Sequence, residues 1–416
     1  MKRVAILGST GSIGRNALDV ISRYPVRFRV ASLSANENIG ILSRQIKRFR
    51  PDSVCVGSES AALALRLKIK GLRVKVFSGM AGLKELAGRV PADIVLLAIS
   101  GSEALTPLLS AIDAGRDIAL ANKEALVMAG SLIMERARRR KVKIIPIDSE
   151  QSAIWQCLEG QEKSALKRIY LTASGGPFRG KSARQLKGVS IASVLRHPRW
   201  KMGAKISVDS ATLANKGLEV LEAMHLFGVG PDKIRVLIHP EAICHSMVEF
   251  VDGGILAQLS ATDMRIPIKY ALSYPKRLAD RSAGLSLSKI KRLNFGEPDF
   301  KKFRCLALAY QVARIMGTAP AAFNAANEVC VDEFLKNRLD FLSIPKVIAA
   351  TLERHRNKKD PGLKDIFTAD ARARQTAYKL IRSAAFNGKR IRRSQYSFDS
   401  AQDVSSKDGE LVEPQS

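Results

Sequence analysis

A short apolar stretch runs directly into a glycine-rich turn near the start of the chain, Val4-Ala5-Ile6-Leu7-Gly8-Ser9-Thr10-Gly11-Ser12-Ile13-Gly14. The apolar residues have the length of a strand, and the helical pattern of Asn16–Arg23 follows the turn. In such a strand–turn–helix unit, the glycines let backbone N–H groups at the start of the helix approach a pyrophosphate. The stretch therefore predicts the first unit of a doubly wound nucleotide-binding domain, although the same glycines would also suit a tight turn without a ligand.

Strand-like and helix-like segments alternate through the residues that follow. Six further strands are predicted, at Arg29–Leu33, Ser53–Val56, Val74–Phe77, Ile94–Ile99, Asp117–Ala121 and Lys143–Ile147. This alternation is typical of a mostly parallel sheet with helices on both faces. We expect an α/β protein in which residues 1–148 form a Rossmann-like, doubly wound, nucleotide-binding domain.

The sequence pattern changes after residue 148. Residues 149–273 contain many glycines and short polar turns, and we expect a mixed α/β domain with its own sheet and with strands at Arg168–Thr172, Lys233–Ile238 and Gly254–Leu259. Residues 274–298 are irregular and predict a linker, and residues 299–386 predict a C-terminal helical domain with helices at Leu306–Ile315, Ala321–Lys336 and Ala369–Ala385. Residues 387–416 are polar and Ser-rich, which predicts a disordered tail.

The chain is strongly basic. Its 416 residues include 68 lysines and arginines against 39 acidic residues, a net charge of +29, which suits either nucleic-acid binding or an anionic substrate. The excess is diffuse, with small clusters at residues 136–143 and 389–393 and no nucleic-acid-binding motif, so we expect no specific nucleic-acid partner.

The composition also bears on location. The five cysteines form no CxxC pair, so neither a disulfide framework nor a zinc knuckle is predicted. No apolar run reaches 18 residues and no signal peptide is recognised, so we expect a cytoplasmic protein without a membrane partner.

The end of the second predicted strand carries the cofactor preference, at Ser34-Ala35-Asn36-Glu37-Asn38. Enzymes that use NAD commonly place a carboxylate there, which would repel the 2′-phosphate of NADP. Ser34 at this position favours NADPH, whereas the nearby Glu37 favours NADH. We expect NADPH, with the degree of preference left open.

Two acids follow the last predicted strand of the first domain, in Ile144-Ile145-Pro146-Ile147-Asp148-Ser149-Glu150. If the chain is extended there, Asp148 and Glu150 point to the same face, and a cation would relieve their repulsion. Oxygen ligands favour Mg²⁺ or Mn²⁺. The alternative is two unrelated acids at a solvated strand end.

A second group of polar residues lies in Ser207–Glu219. A helix would bring Asn215 and Glu219 to one face, so Glu219 could supply a third metal carboxylate. Ser210, Asn215 and Lys216 could hold a phosphate, although an ordinary amphipathic helix would show the same pattern.

Two loops lie between these groups of polar residues. Ser174-Gly175-Gly176 follows a predicted strand and could form an anion-binding nest, and His197–Gly203 could form a lid over a small ligand or a buried packing loop.

These segments, in this order, closely resemble the 1-deoxy-D-xylulose 5-phosphate reductoisomerase family. The resemblance spans about residues 1–385, and the matching stretches are Gly8–Gly14, Ala121–Glu124, Asp148–Glu150, Ser174–Phe178, His197–Gly203, Lys205–Glu219, Ile238–Pro240, His245–Met247 and Asn324–Glu328. It implies that residues 1–148 bind NADPH and that residues 149–273 form the catalytic domain, which binds metal and substrate. It also implies a homodimeric enzyme that uses NADPH and Mg²⁺ or Mn²⁺ to rearrange and reduce 1-deoxy-D-xylulose 5-phosphate to 2-C-methyl-D-erythritol 4-phosphate, in non-mevalonate isoprenoid biosynthesis.

The resemblance also implies residue roles. Asp148, Glu150 and Glu219 would bind the metal, and with Lys123 and His197 they would form the catalytic set. The substrate would contact Lys123, Ser149, Glu150, Ser174, His197, Ser210, Asn215, Lys216 and Glu219. The cofactor site would include Thr10, Gly11, Ser12, Ile13, Ala35, Asn36, Glu37, Asn38, Asn122, Glu124 and Gly203. Trp200 and Met202 would belong to a closing flap, and His245 would support the site. Some relatives carry a basic residue where Glu37 stands.

Two other functions remain open. One is an NADP-dependent reductase of a phosphorylated sugar or aldehyde without the rearrangement, which would not need the three carboxylates. The other is a basic nucleic-acid-binding protein with an inactive nucleotide-binding domain, which would bind RNA or DNA tightly and in a salt-sensitive manner.

Overall fold

Seven parallel strands form the larger sheet of the computed structural model, which describes residues 1–182, 184–196, 203–280 and 284–383. These strands are β1 (Lys2–Leu7), β2 (Phe28–Ser34), β3 (Ser53–Val56), β4 (Lys75–Ser78), β5 (Ile94–Leu97), β6 (Asp117–Leu120) and β7 (Ile144–Pro146). Their order across the sheet is β4-β3-β2-β1-β5-β6-β7. The direction of winding therefore reverses between β1 and β5, the point at which doubly wound sheets bind their ligands.

Helices cover both faces of this sheet. They are α1 (Ser12–Arg23), α2 (Ile39–Phe49), α3 (Glu59–Lys68), α4 (Gly79–Gly88), α5 (Leu105–Asp113) and α6 (Glu124–Arg140). Helix α7 (Ser149–Leu158) follows β7 and packs mainly against the smaller sheet described next. The alternation of side chains along β1 explains why a continuous apolar run is needed: Val4 and Ile6 pack into one core and Ala5 and Leu7 into the other, all fully buried.

A smaller sheet follows, with the strands β8 (Leu166–Ala173), β9 (Ile234–Ile238), β10 (Cys244–Phe250) and β11 (Ile255–Leu259). Their order is β11-β10-β8-β9, with β10 antiparallel to both neighbours and β8 parallel to β9. Four helices belong to this part of the chain: α8 (Ile191–Leu195), α9 (Ala204–Thr212), α10 (Ala214–Phe227) and α11 (Arg265–Ser273). The last of them, α11, packs against α1 and the larger sheet.

The last described part of the chain is helical. It contains α12 (Arg304–Ile315), α13 (Ala319–Leu335), α14 (Ile344–Glu353) and α15 (Leu363–Arg382). A shared apolar core joins α12, α13 and α14 to α9 and α10 through residues such as Phe323, Val208 and Leu218. The C-terminal helices therefore pack directly against the helices that carry the second group of polar residues.

The structure confirms the expected α/β fold class, and all seven strands predicted for the first sheet are present. Strand β10 and helix α14 were not predicted. The predicted tail, residues 387–416, lies outside the described residues. In the part of the chain that the structure describes, no helix combines the length and the apolar character that crossing a membrane requires.

Candidate active site

Three carboxylates converge beside the carboxyl end of the larger sheet. One oxygen of each of Asp148, Glu150 and Glu219 can be chosen so that the three lie within 4.8 Å of one another. Glu219 is 1% exposed, whereas Asp148 and Glu150 are only partly buried. Like charges this close repel strongly in a buried site, so the arrangement requires cations.

Two lysines supply positive charge to this carboxylate cluster. Lys123 Nζ lies 2.5 Å from Asp148 Oδ2 and 2.9 Å from Glu219 Oε1. Lys216 Nζ donates to Glu150 Oε1 at 2.8 Å, to the Thr172 carbonyl at 2.6 Å, and to Glu219 Oε2. Both ammonium groups are buried, so each would be costly without these partners.

The charges shift one another's pKa values. Burial would raise the pKa of Glu150, but the Lys216 ammonium holds it down to about 2. Burial and the Glu150 carboxylate raise the pKa of Glu219 to about 7, against the opposing effect of Lys123 and Lys216. Burial would lower the pKa of Lys123, but Asp148 and Glu219 raise it well above its ordinary value.

The local fold around the two sequential acids differs from the expectation. We predicted an extended chain at Asp148 and Glu150, and this is wrong: β7 ends at Pro146, Asp148 is the N-cap residue of α7, and Glu150 lies in the first turn of that helix. Carboxylates are favoured at this end of a helix because its N–H groups carry partial positive charge. The two acids converge through the helix start instead of through strand alternation.

Helix α10 brings in the third acid as expected. Asn215 Nδ2 donates to Glu219 Oε1 at 2.5 Å across one helical turn, and Lys123 Nζ donates to Asn215 Oδ1 at 2.9 Å. The buried Gln151 Nε2 donates to the Glu219 carbonyl at 2.8 Å, which joins α7 to α10.

The candidate phosphate ligands border the same region. Ser174 and the two glycines after it follow β8, whose last residues include the Thr172 carbonyl that Lys216 contacts. Gly176 has a φ of +66°, and a Cβ there would lie 2.6 Å from the Ser210 carbonyl, so the turn packs closely against the end of α9. Ser149 Oγ donates to Glu150 Oε2 at 2.5 Å. The predicted residues His197, Trp200 and Met202 lie outside the described residues.

The glycine-rich turn lies at the point where the sheet reverses, which is where doubly wound sheets have their ligand-binding crevice. A Cβ at Gly8 would lie 2.6 Å from the Ala98 carbonyl after β5, and a Cβ at Gly14 would lie 2.3 Å from the Gly8 carbonyl. Only glycine allows these approaches. Gly11 is exposed and is the N-cap residue of α1, with no side chain to occupy the first N–H groups of the helix.

Ser34 does not face this crevice, so our reason for preferring NADPH at that position is wrong. Ser34 is 2% exposed, and its Oγ accepts from the Gly8 N–H at 2.9 Å. The buried Gln45 completes the support, because Ser9 Oγ donates to Gln45 Oε1 at 2.7 Å and Gln45 Nε2 donates to the Ser9 carbonyl at 2.9 Å. These polar side chains therefore hold the turn from its buried side.

The other predicted cofactor residues occupy two kinds of position. Asn36, Glu37 and Asn38 are exposed after β2, and Asn38 Oδ1 accepts from the Ile41 N–H at the start of α2. Asn122 and Glu124 are instead buried: Asn122 Nδ2 donates to the Ile99 carbonyl, the Gly101 carbonyl and Glu124 Oε2 at 2.8–3.0 Å. Thr10, Ser12 and Ile13 lie on the turn or at the start of α1, Ala35 is buried after β2, and Gly203 is exposed as the N-cap residue of α9.

Sequence reasoning missed three charged residues near this site. Lys205 Nζ lies 2.7 Å from Glu124 Oε1 and 2.7 Å from Asp209 Oδ2. Glu222, three residues after Glu219, is 1% exposed, and burial together with the Asp148 carboxylate raises its pKa well above its ordinary value. The helical spacing of Glu222 from Glu219 was the available signal, because it predicts one shared helix face.

The donor set fits a hard divalent cation, because three carboxylate oxygens are close enough to share one ion. The crevice fits a dinucleotide, because the Gly8–Gly14 turn lies where the sheet reverses and leaves the first N–H groups of α1 uncapped. Fold and site together are those of a dinucleotide-binding α/β enzyme whose three clustered carboxylates fit a divalent metal.

Family models identify this enzyme class more closely. Residues 4–130 match the model of 1-deoxy-D-xylulose 5-phosphate reductoisomerase, and residues 144–227 and 259–376 match two models of the C-terminal domains of the same enzyme. The 1-deoxy-D-xylulose 5-phosphate reductoisomerase of Gloeobacter violaceus is 49% identical over 383 residues, which cover 92% of this chain and 98% of the relative. The chain belongs to the 1-deoxy-D-xylulose 5-phosphate reductoisomerase family.

Solved structures agree with this assignment. The reductoisomerase of Zymomonas mobilis in complex with NADPH has a TM-score of 0.86 and 39% identity, covering 92% of this chain and 99% of that one. A reductoisomerase in complex with NADPH, fosmidomycin and magnesium has a TM-score of 0.88 and 38% identity, covering 94% of this chain and 100% of that one.

Proposed function

We propose that the carboxylate cluster and the glycine-lined crevice form one active site, in which 1-deoxy-D-xylulose 5-phosphate is rearranged and reduced with NADPH to 2-C-methyl-D-erythritol 4-phosphate. Family membership supports the NADPH- and divalent-metal-dependent conversion. The observation that carries the residue assignment is the convergence of Asp148, Glu150 and Glu219, since reduction of a simple aldehyde would need no such set.

Asp148, Glu150 and Glu219 are the proposed metal ligands. A divalent cation, when bound, supplies Lewis-acid polarisation of the substrate's carbonyl and adjacent hydroxyl oxygens. The chain's own task is to present three oxygens at short range, and Lys123 and Lys216 balance their charge in the free protein. With a cation bound, Lys123 and Lys216 would share the carboxylate oxygens with it, so part of their positive charge would be available to the anionic substrate.

Lys123 is proposed to contact the sugar hydroxyls and to assist proton movement there, since its ammonium lies at the centre of the cluster, within 2.9 Å of Asn215 and Glu219. Ser174, Ser210, Asn215 and Lys216 are proposed to hold the phosphate and nearby hydroxyls, together with His197 and Ser149. Charge-assisted hydrogen bonds of this kind orient an anionic substrate relative to the hydride donor.

NADPH is proposed to lie along the crevice between the turn after β1 and the loop after β5. Thr10–Ile13 would contact the pyrophosphate, Ala35–Asn38 the adenosine ribose, and Gly203 would approach from the start of α9. Asn122 and Glu124 would act through the loop that they hold.

We also propose a homodimer that forms through strand β11. This strand is an edge of the smaller sheet, and Ile255 and Leu256 on it are 52% and 46% exposed. An exposed apolar edge strand favours pairing with a second copy. A monomer at micromolar concentration in light scattering would contradict this proposal, and Leu256→Lys should weaken the dimer.

The cytoplasmic location also remains a proposal, and fractionation of cells that make the protein would test it.

The direct test mixes the purified protein with 1-deoxy-D-xylulose 5-phosphate, NADPH and Mg²⁺ or Mn²⁺ and follows the absorbance of the reduced nicotinamide. Metal-dependent oxidation with the rearranged polyol phosphate as product is the expected result. Metal-independent reduction of a simple aldehyde would instead support a reductase without rearrangement.

A further inference from the structure

The motif Asn324-Ala325-Ala326-Asn327-Glu328 has no role in the site described above, yet it is buried in helix α13 and carries three polar side chains. Asn324 and Asn327 are fully buried, and Glu328 is partly buried. Polar groups in such positions are costly unless they are paired. Their partners therefore show what the motif holds in place.

One set of contacts runs from Asn327 toward the active site. Asn327 Nδ2 donates to Asp209 Oδ1 at 2.8 Å, and Asp209 Oδ2 lies 2.7 Å from Lys205 Nζ. Lys205 Nζ in turn donates to Glu124 Oε1 at 2.7 Å. Helix α9, which follows the predicted flap, is thereby tied both to the C-terminal helices and to the residue after Lys123.

The contacts continue from Glu124 to the loop after β5. Asn122 Nδ2 joins Glu124 Oε2 to the Ile99 and Gly101 carbonyls. The next residue of the loop, Ser102, donates its backbone N–H to Glu328 Oε1 at 3.1 Å. Asn324 Nδ2 donates to the same Glu328 oxygen at 3.1 Å. The contacts thus form a closed ring that begins and ends on α13.

Arg374 of α15 reinforces this ring at the loop. Its Nη2 lies 2.5 Å from Glu328 Oε2 and donates to Ser102 Oγ at 3.0 Å, and its Nε donates to Asp370 at 2.7 Å. Gly101 has a φ of +79°, and a Cβ there would lie 3.3 Å from Glu328 Oε1. The carboxylate therefore sits directly against a backbone conformation that glycine favours.

We propose that Glu328 is a positioning residue for the cofactor: supported by Arg374, it holds the Ile99–Ser102 loop in the shape that binds NADPH. This inference rests on the proposed function, in which that loop borders the NADPH crevice opposite Gly8. A loop held by two side chains from distant helices and by Asn122 does not have to be ordered when the cofactor binds. The C-terminal helices thus contribute to cofactor affinity without touching the cofactor.

The test compares Glu328→Ala and Glu328→Gln with the wild type by titrating NADPH against the metal-free protein and following nicotinamide fluorescence. We expect Glu328→Ala to raise the dissociation constant of NADPH by about tenfold, a typical effect of breaking such a network. Glu328→Gln should recover much of the affinity, because its amide oxygen can still accept from Ser102. In steady-state kinetics, the KM for NADPH should rise far more than the KM for the sugar phosphate.

Glu333→Gln is the matched control, because Glu333 is a buried acid on the same helix that pairs with Arg338 at 3.5 Å and lies outside the ring. It should leave NADPH binding unchanged even if it lowers the melting temperature. If Glu328→Ala does not fold, Arg374→Gln is measured in the same way, with an expected increase of about threefold.

Two outcomes are distinguishable from the expected one. If the variants melt earlier but bind NADPH as the wild type does, Glu328 is only a stabilising residue and the inference is wrong. If the wild-type protein itself does not bind NADPH, the proposed function fails instead.

Discussion

Replacing Glu150 by Gln tests the metal centre most directly. The amide has nearly the shape of the carboxylate, so the fold is kept while one of three anionic ligands is lost. In the free protein Lys216 would retain the Thr172 carbonyl and Glu219 as partners. Because the pKa of Glu150 is held near 2, the wild-type side chain is charged at every pH at which the assay would be run.

The size of the effect follows from linkage between binding and folding. Removing a residue that only supports a metal ligand costs 10–100-fold in affinity, so removing a ligand should cost at least about 100-fold. At a metal concentration of about 100 times the wild-type dissociation constant, the ion stabilises the folded wild type by about 2.7 kcal/mol. At the same concentration, the variant would gain only about 0.4 kcal/mol.

The assay is thermal unfolding after chelator treatment, repeated across a titration with Mn²⁺. Each protein is compared with its own metal-free form, so a change in intrinsic stability does not disturb the result. Glu159→Gln is the matched control, since Glu159 ends the same helix, is exposed, and accepts from Tyr274 Oη. An equal Mn²⁺-induced shift in Glu150→Gln and the wild type would refute the assignment of Glu150 as a ligand.

Four further predictions follow from the described contacts. Lys123→Met leaves two carboxylates without the ammonium that lies 2.5 and 2.9 Å from them. We therefore expect the metal-free protein to lose about 3 kcal/mol of unfolding free energy, most of which metal should restore, and turnover to fall at least about 100-fold. Initial rates near those of the wild type would contradict this role. Gly130→Ala places a Cβ 2.2 Å from the His225 ring, so an overpacking cost of about 3 kcal/mol should outweigh a gain of about 1 kcal/mol in helix propensity. Chemical denaturation should therefore show a net loss of stability, whereas the control Gly180→Ala, whose Cβ would meet nothing within 4 Å, should show none. Burial lowers the pKa of His225 from 6.5 to about 4, so the contribution of the neutral ring to stability is complete above pH 6.5 and is lost as the pH falls toward 4. The loss should reach about 3 kcal/mol of unfolding free energy, and the unfolding free energy of His225→Gln should fall less across this range. Glu37→Lys replaces an exposed acid after β2 with a cation that would attract the 2′-phosphate of NADPH. NADPH binding should tighten about threefold at low salt and less at high salt, and NADH binding should be unchanged, as titrations of both nucleotides can check.

The elements of the first sheet could be predicted because each strand is a short apolar run between turn-forming residues. Strand β10 could not, because Cys244–Phe250 contains His245, Ser246 and Glu249, all buried through contacts with neighbouring elements. Polar residues in a buried strand remove the apolar signal on which sequence reasoning depends.

The turn at Asp148 shows a similar limit. An apolar run followed by spaced acids suits a strand, but Pro146 ends β7 and Asp148 begins a helix. The prediction that the two acids lie close together is confirmed, but a helix start brings them together and not an extended strand. Their convergence with Glu219, 69 residues further along the chain, depends on packing between α7 and α10, which Gln151 helps to fix.

The sequence by itself determined the strand–turn–helix start, the α/β class, the family resemblance and the residue types of the site, because these are encoded in local periodicity and spacing. Only the tertiary structure decided which charges meet. Lys123 and Lys216 neutralise the acids, Ser34 and Gln45 turn inward behind the glycines, and Glu328 reaches the loop after β5 from 226 residues away. The physical reason is that a buried charge or backbone N–H must have a partner, and that partner is whichever group the fold brings within hydrogen-bond distance. Local sequence patterns do not predict which distant residues come that close.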